Sequence, residues 1–198
     1  MELVELSLKS LEEVSLKLAK KINEDFDYDL VIFIAKGSYL IGKTIADYKN
    51  VPLLEIKAVR QGNSLKNKLK NVLKILPKPV KKVLRNIEVK SDVHTKNVSR
   101  KIEYNEKNWN KYLDKKRIVL VDDSVDTGNS MKQCAQTIKK YFKDSEVKIV
   151  ALNFLEKSKQ VIDVDFALYN DKLLEGPWSN DSKENGQFII EYSKYEEK

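Results

Sequence analysis

Two uninterrupted apolar runs constrain this chain more than any other feature. They are LVIFIA and IVLV, within the strands read at residues 29–35, DLVIFIA, and 116–121, KRIVLV. A strand that is apolar at every position, rather than at alternate ones, is buried on both faces, as in a parallel sheet covered by helices. Parallel strands need long crossovers between them, usually helical. The rest of the sequence supplies these. Helical patterns occupy residues 7–24, 39–49 (YLIGKTIADYK) and about 129–142. Further strands are expected at 53–59, opened by Pro52, then at 147–155 (VKIVALNFL), at 163–169 (DVDFALY) and last at 186–193 (GQFIIEYS). Ser10 and Glu13 have the spacing of a capping box, although they fall inside the first helical pattern. The alternation predicts an α/β fold built on a doubly wound parallel sheet.

At 198 residues the chain suits one α/β domain carrying an elaboration, so we expect a single domain over 1–198. No apolar run reaches the roughly 18 residues of a membrane span. The acidic, amphipathic start, MELVELSLKSLEEV, lacks the basic and apolar stretches of a signal peptide. A single cysteine, Cys134, excludes an internal disulfide framework and fits a reducing, cytoplasmic setting. With His94 as the only histidine, a zinc site is not expected. The net charge of +7 is uneven: residues 64–101 carry twelve Lys/Arg against Glu88 and Asp92. That segment is +10, leaving −3 on the rest, so a basic insertion (64–110) sits in a mildly acidic domain. Leu65, Leu69, Val72, Leu73 and Leu76 line one helix face before Pro77 and Pro79, and Val80, Val83, Leu84 and Ile87 suggest a second helix. Residues 88–104 are open between two strands and irregular chain.

The second buried run continues as VLVDDSVDTGNS, residues 119–130. Ligands of open α/β sheets sit beyond the carboxyl ends of the strands. Here that position holds Asp122 and Asp123, then a turn, Asp126-Thr127-Gly128-Asn129-Ser130, into a helix. Gly128 can adopt backbone angles that turn N–H groups inward. A helix N-terminus flanked by the Thr127 and Ser130 hydroxyls suits a phosphate. Carboxylates beside such a cradle suit sugar hydroxyls and a magnesium ion on the same ligand.

This stretch resembles the phosphoribosyl-pyrophosphate (PRPP) signature of the type I phosphoribosyltransferases, nearest to the purine and xanthine–guanine branch. The resemblance implies their fold, with the basic helical insertion and a small hood at 156–185. It also implies Mg2+-dependent transfer of the 5-phosphoribosyl group from PRPP to a nitrogenous base, with loss of pyrophosphate. Asp122 and Asp123 would bind the ribose hydroxyls, directly or around magnesium. The loop Ser124, Val125, Asp126, Thr127, Gly128, Asn129 and Ser130 would hold the 5′-phosphate side of PRPP. Asp126 would also act at the base as general base or orienting group. Ala35-Lys36-Gly37-Ser38, after the first buried strand, resembles the family's pyrophosphate loop, in which the peptide before Lys36 is cis or strained. Arg60 matches an arginine placed near the pyrophosphate. Asn63-Ser64-Leu65 matches a mobile loop, without its tyrosine. A homodimer is a further implication.

The base side departs from the pattern. A lysine usually follows the strand equivalent to 147–155 in enzymes for 6-oxopurines. Here Glu156 takes that place, with Lys157 beside it. Residues 171–178, DKLLEGPW, are similar to the Trp-Ile-x-x-Pro-Trp segment of the xanthine–guanine enzymes. Pro-Trp is kept, but Leu173 stands where the stacking tryptophan would be. Lys157, Leu173 and Trp178 are the expected base-side residues, and a 6-oxopurine is the expected base. Two rivals remain: a PRPP-sensing regulatory protein, and transfer to a non-purine acceptor. The basic insertion reads as a lid, as a partner-subunit contact, or as a face for an acidic surface such as nucleic acid or membrane.

Overall fold

The computed structural model describes residues 1–60 and 100–197, except the side chain of Arg60. The expected helices of the basic insertion, His94 and the Asn63-Ser64-Leu65 loop lie outside the described residues. The chain divides into two units, residues 1–58 with 102–198, and residues 59–101. Of the second, only 59–60 and 100–101 are described, as the ends of two strands.

The strands of the main sheet are β2 (Leu30–Ile34), β3 (Leu53–Arg60), β4 (Arg100–Tyr104), β5 (Arg117–Val125), β6 (Glu146–Phe154) and β7 (Phe166–Asn170). Their spatial order is β4-β3-β2-β5-β6-β7. Pairings β2–β3, β2–β5, β5–β6 and β6–β7 are all parallel. The chain steps outward from β2 to β3, then returns past it to β5, so the order reverses between β2 and β5. The carboxyl ends of these two strands flank the crevice that such a reversal creates.

Every residue of β2 is buried, as its unbroken apolar run requires. Val31 and Phe33 enter the core on one face, with Val119 and Val121 of β5 beside them. Leu30 and Ile32 enter the other, with Ile118 and Leu120. The first core is closed by helices α1 (Leu8–Asp25) and α2 (Tyr39–Lys49). The second is closed by Trp109, at the end of the short helix α3 (Glu106–Trp109), and by α4 (Asn129–Tyr141). Cys134 is buried there as a small apolar residue, at the α4 position expected for it. Helices on both faces of a parallel sheet make the fold the doubly wound α/β class expected.

Two local expectations are corrected, and two further elements are added. First, the capping box of α1 uses Ser7 and Ser10. Ser7 Oγ accepts from the Ser10 N–H at 3.1 Å, and Ser10 Oγ accepts from the Ser7 N–H at 2.8 Å. A cap residue must stand outside the helix in extended backbone, which Ser7 does at φ −77°, ψ 168°, whereas Ser10 is already helical. Second, residues 186–193 are not a strand but part of helix α5 (Asn185–Glu196). Phe188 and Tyr192, four apart, are buried, while Ile189 and Ile190 are exposed. The two β-branched residues suggested strand, but the helical spacing of the aromatics decides which face is buried. Third, residues 2–5 and 172–175 form a separate two-stranded parallel sheet, β1 (Glu2–Glu5) with β8 (Lys172–Glu175). This pairing brings the first residues of the chain into the hood. Fourth, the upper part of the 64–110 segment is regular: 100–104 is β4, at the sheet edge, and 106–109 is α3. No helix among the described residues is long and apolar enough to cross a membrane.

Candidate active site

Strand β5 runs two residues past the acidic pair and ends at Val125. Hydrogen bonding to β6 continues to that end, with Asp122 opposite Ala151 and Ser124 opposite Asn153. The carboxylates are therefore held on rigid backbone. The Asp123 N–H donates to Asp122 Oδ1 at 2.9 Å. Burial pushes the Asp122 carboxyl well above the usual carboxylate range, and the neighbouring Asp123 charge adds to this. Burial raises Asp123 as well, and the Asp126 charge opposes ionisation of both. Three acids thus crowd one corner in which every added negative charge is unfavourable. Such a site favours a ligand that brings hydroxyl donors or a cation.

The loop after β2 closes this corner from the other side of the crevice. Ala35–Lys36 is a cis peptide bond, as the resemblance implied. Ser38 is buried, and its hydroxyl donates to the Ile34 carbonyl. Gly37 lies directly against Asp123. A Cβ on Gly37 would fall 2.7 Å from Asp123 Oδ1 and 2.9 Å from its Cγ. Only glycine lets the two segments approach this closely. Lys36 is exposed, with Nζ 5.6 Å from the ring centre of Tyr192 on α5. Tyr192 in turn donates its hydroxyl to the Glu55 carboxylate. Arg60 is the last residue of β3, and its guanidinium lies outside the description.

The turn beyond β5 ends at Gly128, the N-cap of α4, at φ 76° with no side-chain cap. The first-turn N–H groups of α4 therefore face outward without a side-chain acceptor, the arrangement that receives an anion. Thr127, Asn129 and Ser130 are half-buried around this terminus, and Asn129 Nδ2 reaches Thr127 Oγ1 at 3.4 Å. Gly128 is required twice over. Its φ is left-handed, and a Cβ would meet Ile162 Cγ2 at 2.9 Å and Val161 Cβ at 3.1 Å. Replacing Gly128 with Ala is expected to cost about 2 kcal/mol of stability, from the strained φ and the overpacking together. Urea unfolding with an unchanged m-value checks this, and an unshifted midpoint would contradict it.

The expected base-side residues sit on three different segments of the chain. Lys157 lies exposed on a 3-10 turn, Glu156–Gln160, with Glu156 at its start. The cation that engages Glu156 is Lys159, at 2.9 Å. Lys159 and Asn170 together hold the Glu156 carboxyl below its usual range. Leu173 is half-buried in β8, opposite Leu3 of β1. Trp178 packs on the first core and against its own chain, where a Cβ on Gly176 would fall 2.4 Å from the indole. Trp178 is therefore packed as a hood aromatic. One residue that sequence reasoning passed over, Asn153, is fully buried beside Ser124. An amide interrupting the apolar run VALNFL was the available signal.

Comparison with known proteins agrees with this geometry. Residues 7–179 match the family described as phosphoribosyl transferase domain. No curated protein matches the sequence. Among solved structures, purine phosphoribosyltransferase from Pyrococcus horikoshii Ot3 aligns with TM-score 0.60 at 17% identity, over 92% of this chain and 97% of that one. The xanthine-guanine-hypoxanthine phosphoribosyltransferase of Helicobacter pylori gives 0.60 at 14% identity, over 93% and 99%. A hypothetical protein from Neisseria gonorrhoeae with bound ppGpp gives 0.56 at 16%, over 98% and 97%. At these identities the structural likeness establishes the fold, and the family match over 173 of 198 residues establishes the membership. The chain belongs to the phosphoribosyl transferase domain family and is a pentosyl-transferring enzyme.

Proposed function

We propose that the protein transfers the 5-phosphoribosyl group of PRPP to a 6-oxopurine, releasing pyrophosphate and forming a nucleoside 5′-monophosphate. The observation that carries this reading is the approach of Gly37 to Asp123, because it joins the candidate pyrophosphate loop to the candidate ribose carboxylates at one point. In this reading the N-terminus of α4, with Thr127, Asn129 and Ser130, binds the 5′-phosphate. Ser124, Val125 and Gly128 shape that loop. Lys36, the backbone N–H groups of Gly37 and Ser38, and Arg60 attract the leaving pyrophosphate. The C1′–oxygen bond breaks ahead of C1′–nitrogen bond formation, leaving a cationic ribosyl ring. Asp122 and Asp123 stabilise that ring by their charge. Asp126 accepts the proton displaced from the attacking ring nitrogen. Lys157, Leu173 and Trp178 line the base side.

A half-buried carboxylate pair fits Mg2+, a hard cation that takes oxygen ligands and shares them with substrate phosphates. Asp122 and Asp123 would hold it. When bound it supplies positive charge to the departing pyrophosphate. The choice of a 6-oxopurine finds support in the H. pylori neighbour's substrates, and the adenine phosphoribosyltransferase of Thermoanaerobacter pseudethanolicus is the counterexample on the same fold. The ppGpp held by the Neisseria neighbour, a ribose nucleotide bearing pyrophosphate groups, supports ribose-phosphate recognition on this scaffold. A homodimer in the cytoplasm completes the reading.

Pyrophosphate release from PRPP and Mg2+ is the test, run against hypoxanthine, guanine, xanthine, adenine, uracil and orotate. Release with a 6-oxopurine is expected. Release with adenine or a pyrimidine alone would replace the base assignment. No release with any base, while PRPP still binds, would favour a PRPP sensor.

A further inference from the structure

We propose that Asn153 is a positioning residue that aims Asp126 and ties the hood strand β8 to the active-site strand β5 through a single buried amide. The proposal rests on Asp126 acting at the base, as above.

Asn153 is fully buried in β6. An amide in such a place is costly unless it is hydrogen-bonded. Three bonds satisfy it. Its Oδ1 accepts from the Lys172 N–H at 3.1 Å. Its Nδ2 donates to the Lys172 carbonyl at 3.1 Å and to Ser124 Oγ at 2.9 Å. The two backbone partners fix which end of the amide is oxygen and which is nitrogen, because an N–H faces one and a C=O the other. Ser124 Oγ must then accept from Asn153, so its own hydrogen is free to point elsewhere. It points to Asp126 Oδ1, at 3.1 Å. The relay Asn153→Ser124→Asp126 therefore has one direction. Ser124 and Asn153 are also register partners on adjacent parallel strands, so the relay is built on sheet backbone and not on a loop.

The same amide clamps the first residue of β8, the strand that carries Leu173. The neighbouring turn is held independently. The Asp171 N–H donates to the Phe154 carbonyl at 2.9 Å, and Asp171 Oδ1 accepts from the Glu156 N–H at 3.0 Å. Movement of β8 therefore reaches Asp126 through three successive hydrogen-bonded links, Lys172 to Asn153, Asn153 to Ser124 and Ser124 to Asp126, which couples the acceptor side of the site to its proton acceptor. Asp126 is itself exposed, at the start of a turn.

A mutant cycle tests this, using the panel base that releases pyrophosphate. Asn153→Ala is expected to lower kcat by about 10-fold or more, the scale of a misplaced reacting group. The dissociation constant of PRPP, read by calorimetry, should change by less than about twofold, within the error of independent sites. Ser124→Ala should lower kcat in the same way while leaving the β8 clamp in place. In an Asp126→Asn background, Asn153→Ala should cost less than about a further twofold, because the group it aims is already inactive. An equal loss in both backgrounds, or an unchanged kcat in the wild-type background, overturns the proposal and leaves Asp126 in place. An unchanged turnover for Asp126→Asn alone overturns the Asp126 reading itself, and the relay with it. If Asn153→Ala does not fold, the Ser124→Ala cycle decides by the same criteria.

Discussion

Asp126→Asn is expected to lower kcat by about 10²- to 10³-fold with little change in PRPP affinity. The substitution is close to isosteric. An asparagine oxygen at this position can still accept the hydrogen bond that Ser124 Oγ gives to Asp126 Oδ1 at 3.1 Å, so the local geometry survives. What is lost is the capacity to take a proton. The effect should therefore fall on turnover and not on the binding of PRPP, whose phosphate contacts lie at Thr127–Ser130 in the proposed mechanism. Single-turnover rates with the active base, beside PRPP titrations of both proteins, measure the two quantities separately. A parallel loss of PRPP affinity would move Asp126 into the phosphate cradle.

Asp122→Asn should abolish PRPP binding and at the same time stabilise the free protein. Burial and the adjacent Asp123 raise the Asp122 carboxyl in the folded state. A carboxyl raised by folding carries its full stability below its unfolded value, near pH 4, and loses it as pH climbs through the raised one. At neutral pH the native protein therefore carries a penalty for this buried acid that the neutral asparagine lacks. In EDTA at pH 7, Asp122→Asn should melt higher than wild type, by roughly 2–4 °C for each kcal/mol recovered in a chain of this length. The gap should close as pH falls toward 4. A lower melting temperature at neutral pH would mean that the carboxylate is stabilised by contacts that outweigh its burial. Stability given up at a functional site is the expected pattern for an acidic cluster built to receive a cationic or hydroxyl-rich ligand.

What could be read in the sequence followed from strong local signals. The unbroken apolar runs at 30–35 and 118–121 point to the centre of a parallel sheet, and β2 and β5 are adjacent there. The Asp-Asp and Thr-Gly-Asn-Ser elements then fall at the carboxyl end by topology alone. The Gly37–Asp123 approach was less visible, because a loop and a strand about 85 residues apart meet only through sheet order. The C-terminal helix was misread because Ile189 and Ile190 dominate its local pattern, whereas its packing is set by Phe188 and Tyr192. The β1–β8 pair joins strands about 170 residues apart in the chain, and no local propensity specifies a partner that distant. The base side was the least legible: Lys157 and Trp178 rest on the resemblance alone, and in the structure Lys157 is exposed while Trp178 packs on the first core.

The measurement that tests the central claim most directly is calorimetric titration of PRPP, with Mg2+ present, into the wild-type protein and into the Asp122→Asn/Asp123→Asn variant. Saturable binding to one site per chain in the wild type, absent from a variant that remains folded, is the predicted result. Absence of binding to the wild type, or equal binding to both proteins, would contradict the assignment of residues 119–130 to PRPP.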